Sequence, residues 1–270
     1  MKAQVIRPTN KVLKRYIKYF LFMESEDFSY NNLHTSFPNT NVCLGLFKGN
    51  RLIETSDHHY TVSESKNFSS YLTGIYHKPT TFRYNGKFSE VCIDFEPLGL
   101  DVISGHKLSK HLFLNEVIET IMSKHWGDLY KFAFTENTYA IRAQLMETFF
   151  LKAFYAHDKP IEFYPFNKIY SSSVTDLQAS FNKSYRSIHR IYKDNLGMGP
   201  KDFLMMKRFR MSLQGLHDFQ LNKLAVLDYS LEFSDQSHFI RNFKKYSGFT
   251  PKAFLKKSRV IDSKVWMQIN

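Results

Sequence analysis

Two short stretches hold most of the side chains in this sequence that could do chemistry. One contains Tyr185, Arg186, His189 and Arg190, the other Gln236, Ser237, His238 and Arg241. Guanidinium, imidazole, amide and hydroxyl groups of this kind are the ones that read base edges or hold phosphates. Nearby stand Ser184, Lys193, Lys201, Ser234, Lys244, Lys245 and Lys252, hydroxyls and ammonium groups suited to sequence-independent phosphate contacts. Ser184, and either Ser234 or Asp235, also occupy positions where a helix N-cap is expected, which is compatible with donating to a phosphate.

The elements that must position these groups are legible as an internal repeat. Ile188, Arg190, Tyr192 and Lys193 match Phe239, Arg241, Phe243 and Lys244 at an offset of 51. Gly197, Pro200, Lys201 and Phe203 match Gly248, Pro251, Lys252 and Phe254 at the same offset. Leu177 and Phe181 match Leu227 and Leu231 one residue closer, so the slip falls where a turn absorbs it. Each copy reads as helix, turn, helix and a Gly-x-x-Pro stop, since glycine ends a helix in the left-handed conformation and proline discourages its continuation. Apolar Ile188, Ile191 and Tyr192, like Phe239, Phe243 and Tyr246, face inward, which leaves the chemical residues outward. A continuous helix from Phe203 to about residue 217 joins the copies, with Phe203, Met206 or Lys207, Arg210 and Leu213 following the helical turn. It would hold two reading helices about one DNA turn apart, roughly 34 Å.

The charge agrees with an acidic partner. The chain of 270 residues carries a formal charge of +12. Residues 174–259 hold 16 Lys/Arg against 7 Asp/Glu, whereas residues 1–173 hold 20 against 17. Double-stranded DNA is therefore the expected partner of the C-terminal third.

On SIHRIYKDNLGMGPKDF (187–203), Arg208 and FSDQSHFIRNFKKYSGFTP (233–251), that third resembles the DNA-binding domain of the AraC/XylS transcription regulators. SSYLTGIYHKPTTFRYNG and FEPLGLDVISGHKLSKHLF (95–113) are similar to sensing domains of some members. The resemblance implies a reduced cupin-like β fold, a helical pair used for dimerisation and, as partners, a small-molecule effector and RNA polymerase. The chain departs from the family at Gln178 and Asp228, where alanine is usual, and at Glu232, where glycine is usual. Asp228 and Glu232 would bring negative charge towards a phosphate-binding surface, so the first copy is expected to be the stronger base reader.

The expected class is α+β with two domains. Residues 1–160 form a small β barrel or sandwich with a helical pair, 161–173 a linker, 174–258 the double helix-turn-helix domain and 259–270 a C-terminal tail. VCLGLF-KGN-RLIET and TTFRY-NGK-FSEVCIDF read as hairpins, the second around Asn85-Gly86. LNEVIETIMSKHWGDLYKFAF reads as an amphipathic helix with Val117, Ile118, Ile121 and Met122 on one side. Thr135 should cap a longer helix in which Ile141, Leu145, Phe149 and Phe150 offer a face for a second copy of the chain. Cys43 and Cys92 are expected as buried thiols, with a disulfide open. His58 and His59 are adjacent and point to opposite faces of a strand, so no metal site is expected, and no cofactor. No nucleophile, phosphate loop or carboxylate pair stands out, so an enzyme fused to a DNA-docking module is the weaker alternative. Another is a regulator that acts constitutively or through a protein partner. IKYFLFM is too short to span a bilayer, and a cytoplasmic location with no membrane partner is expected.

Overall fold

In the strand IKYFLFM apolar residues alternate to both sides from Tyr19 onward, and both sides are buried. Phe20 and Phe22 enter one core, Tyr19, Leu21 and Met23 another. A computed structural model describes residues 1–156, 173–219, 235–257, 259–262 and 265–269, and places this strand in a curled sheet. The strands are β1 (Lys2–Ile6), β2 (Ile17–Ser25), β3 (Asn31–Ser36), β4 (Val42–Ser56), β5 (His59–Thr73), β6 (Thr80–Asn85) and β7 (Phe88–Phe95). They continue as β8 (Phe113–Asn115), β9 (Arg259–Asp262) and β10 (Val265–Ile269). The order is β1-β2-β7-β4-β5-β6-β3-β10-β9, with β8 paired to β5. Pairing is antiparallel except between β5 and β6. The curl brings β9 back towards β1, so the sheet is a half-barrel.

Neither expected hairpin forms as read. VCLGLF and RLIET are one strand, β4, paired to β5 along its length with a register slip between Lys48 and Asn50. Gly49 has φ +77 and serves that bulge, because a left-handed glycine supplies a bulge as readily as a turn. The chain reverses instead at Asp57-His58, where Ser56 pairs with His59. Asn85-Gly86 is a turn, with the Gly86 N–H donating to the Tyr30 carbonyl at 2.7 Å. Its two strands part, however: β6 lies between β5 and β3, and β7 between β2 and β4.

Helices cover one face of the sheet: α1 (Gly99–Ser104), α2 (Val117–Thr120), α3 (Asp128–Ala133) and α4 (Tyr139–Tyr155). The amphipathic helix expected over 114–134 is broken into β8, α2, a 3-10 turn (Lys124–Gly127) and α3. Edge pairing of Phe113–Asn115 with β5 claims its start, and Ser123 is extended. Val117, Ile118 and Met122 are buried as expected, but Ile121 is exposed. Thr138, not Thr135, caps α4. Phe149 and Phe150 pack into the chain's own core, with Phe150 against Phe20, Phe95 and Trp126. They are therefore not available to a second copy. Ile141 is exposed and Leu145 half-buried, so only these two of the four face outward.

The second half contains α5 (Val174–Phe181), α6 (Tyr185–Leu196), α7 (Pro200–Phe219), α8 (Gln236–Ser247) and α9 (Pro251–Lys257). α6 and α8 begin and end 51 residues apart, as the repeat requires. Gly197 and Gly248 both close their helices at positive φ, and Pro200 and Pro251 both open the next. Ser173 and Asp176 form a capping box on α5. Ser234, Asp228 and Glu232, and most of the linker, lie outside the described residues. The last stretch, read as a tail, forms β9 and β10: Met267, Gln268 and Ile269 pair with Ser36, Thr35 and His34 of β3.

Candidate nucleic-acid interface and the cavity beside it

The reading face of α6 follows from its inward one. Ile188, Tyr192 and Leu196 are buried, and Tyr192 stacks edge-on against Phe203 of α7. That leaves Tyr185, Arg186, His189, Arg190 and Lys193 exposed along one side. Tyr185 lies 6.0 Å from the His189 ring, and the Lys201 ammonium stands 5.8 Å from the Tyr185 centroid. Aromatic, imidazole and cation thus form one row across the α6 and α7 N-termini. Ser184 caps α6 by accepting from the Ser187 N–H, and the exposed end of a capped helix favours an anion.

α8 presents a sparser version. Gln236, Ser237, Arg241 and Lys244 are exposed, while His238 is half-buried. The counterpart of exposed His189 is half-buried Ile240, so the second copy lacks that imidazole. Asp235 caps α8, accepting from the His238 N–H at 2.7 Å. A carboxylate therefore stands at this N-terminus where α6 has a hydroxyl. Lys245 is within 3.9 Å of Asp202, with its ammonium over Tyr246, so it is shared with α7 rather than held out for a phosphate. Lys252 is exposed on α9.

The 20-residue helix α7 spans about 30 Å. Phe203, Met206, Phe209 and Leu213 are buried along it, with Phe209 against Phe243 and Tyr246 of α8. Arg210 turns towards the sheet instead. It is half-buried and lines a cavity whose other walls are all from the β unit. In the sequence Arg210 falls in the apolar row of α7, and the fold makes it a half-buried cation with acidic neighbours. Those neighbours were also visible: Glu90, Cys92 and Asp94 alternate along β7, so they share the concave face, opposite Val91, Ile93 and Phe95.

The cavity measures about 80 Å³. Burial pushes the Asp94 carboxyl up to about 7, opposed by Lys18, Arg210 and hydrogen bonds from Tyr19 and Asn41. Burial also raises Glu90, although Tyr71 and Tyr84 each donate to it at 2.5 Å. Burial lowers the Arg210 guanidinium, with Tyr19, Tyr76 and Asp94 acting against that. Cys43 and Cys92 line the same cavity as free thiols. Two further contacts join the units. Phe37 packs on Phe254 of α9 at 4.8 Å, and the Gly197 turn abuts the Lys110 carbonyl.

α5 and α6 thus have the arrangement of a helix-turn-helix unit, and α8 repeats the second helix of that unit. Residues 177–257 match the family model described as a helix-turn-helix domain, and the C-terminal region of this chain is a domain of that kind, of AraC type. No curated protein matches the chain. Among solved structures it is similar to ToxT from Vibrio cholerae O395, at 11% identity over 88% of this chain and 96% of that one, with a TM-score of 0.45. An unsaturated fatty acid-bound ToxT from strain SCE256 gives 13% identity over 93% and 97%, at 0.43. The AraC-like transcriptional activator CuxR gives 12% over 90% and 80%, at 0.26. Among the described residues no helix is long and apolar enough to cross a membrane.

Proposed function

We propose that this DNA-binding regulator reads a specific operator, chiefly through α6, and that a signal received by the β unit changes how the reading helices are presented. The observation that carries the first part is the exposed row Arg186, His189 and Arg190 on a capped helix, against the acid-capped α8, whose His238 is half-buried. Linkage supplies the second part: a ligand that binds one arrangement of the two units better than another shifts their balance, and DNA feels the same coupling. Arg210 and the Phe37–Phe254 contact support that reading, because they join the β unit to α7 and α9. A cytoplasmic homodimer using Ile141 and Leu145, in contact with RNA polymerase, completes the proposal. Arg186→Ala and Arg190→Ala should each weaken binding to a selected operator by about 1–3 kcal/mol while sparing non-specific DNA. Electrophoretic mobility shifts on both kinds of fragment measure this. Parent-like operator binding by both variants would remove α6 from the groove.

A further inference from the structure

The cavity between the sheet and α7 has a composition that the rest of the molecule does not share. In a chain of +12, its charged walls are two acids, Glu90 and Asp94, and one base, Arg210. The Glu90 oxygens already accept from Tyr71 and Tyr84. An acceptor without a partner lies at the other corner. Asn41 donates its Nδ2 to Asp94, and Asn41 is only 8% exposed, yet among the described residues its Oδ1 has no hydrogen-bond partner. A buried carbonyl oxygen without a donor costs free energy, and a ligand that brings a donor recovers it. Tyr19 and Tyr76 also line the cavity, and phenol oxygens together with a carboxylate and an amide oxygen suit an organic cation that carries N–H donors. The volume fits several waters or one small molecule and is well below that of drug-sized sites.

One guanidinium is already there. Arg210 is the only lining residue among the described ones that comes from the helical domain, and its electrostatic neighbours are Tyr19, Tyr76 and Asp94. We propose that the cavity binds a small organic cation of the amine or guanidine class through Asp94 and Asn41, and that Arg210 is the chain's own occupant of this site, displaced when the cation arrives. Displacement frees α7, the helix that carries both reading units. This deepens the regulator reading above and rests on it for its consequence, though not for the binding itself.

Calorimetric titration of the full chain at constant ionic strength tests the site, with methylguanidinium and propylammonium as probes and butyrate as the anionic control. Saturable one-to-one binding of the cations, without butyrate, is expected. Binding of butyrate alone would assign the site to Arg210 as an anion receptor and overturn the proposal, as would binding of none of the three. Asp94→Asn, which can still accept from Asn41, should bind the cations at least tenfold more weakly with its melting transition retained. Arg210→Ala should bind them at least tenfold more tightly, an outcome that a misfolded protein cannot produce; unchanged or weaker affinity would rule out displacement. Mobility shifts of the parent on DNA, run separately, decide the regulator reading. A chain that binds cations but no DNA sinks that reading alone.

Discussion

Asp94 of the sheet and Arg210 of α7 line one cavity, and the titration of this carboxyl should be visible in stability. An unfolded aspartate titrates near 3.9, whereas burial pushes the folded one up to about 7. The folded chain holds this proton more tightly, so its contribution is full below the unfolded value and is lost as pH rises through the folded one. Asp94→Asn removes that loss. Its melting temperature should gain on the parent's between about pH 4 and pH 7, the stability gap widening by at most about 1.4 kcal/mol for each step of one in pH. Parallel melting curves across that range would show that Asp94 does not control it. The sequence made the outward residues of α6 legible because a repeat fixed their phase. It hid the pairing of Asp94 with Arg210 because they are 116 residues apart and on different kinds of element, and only the assembled fold brings the two to one cavity.

At the scale of elements, punctuation residues are legible where their meaning is unique and ambiguous where it is shared. Gly-x-x-Pro ends a helix wherever it occurs, and both copies obey it. A glycine between two apolar runs serves either a hairpin or a bulge, and Gly49 took the second role. Likewise a 3.6-residue apolar pattern over 114–134 could not reveal that Phe113–Asn115 would be drawn into pairing with β5. The two stop glycines differ in surroundings, which permits a comparison. Both have positive φ, so alanine at either costs roughly 1 kcal/mol in strain. A Cβ at Gly248 meets nothing, but at Gly197 it would lie 2.7 Å from the Lys110 carbonyl oxygen. Gly197→Ala should therefore destabilise the chain more than Gly248→Ala, and denaturant titration measures the difference. Equal losses would mean that the α6–α7 turn does not bear on the β unit.

For the whole molecule, the domain plan read from sequence set a β unit before a helical one. The helices instead lie between strands of one sheet, because β9 and β10 follow α9 and return to β3. No local pattern announces such a pairing, which joins Ser36 to Met267. Ending the chain after Lys257 should expose the N–H and C=O groups of the β3 edge. The shortened protein is expected to melt lower and to self-associate, as size-exclusion chromatography and light scattering would show. A monodisperse product with the parent's melting temperature would make the strand pair dispensable.

That return of the chain also bears on synthesis. β3 leaves the ribosome before the helical domain and β10 after it, so the sheet waits through translation of that domain before this edge is covered. Pairing across so long a span is slow, and an uncovered strand edge is a site for unwanted association. Production of this protein should therefore be most vulnerable before β10 emerges, and slower growth or lower temperature should favour the yield of folded chain.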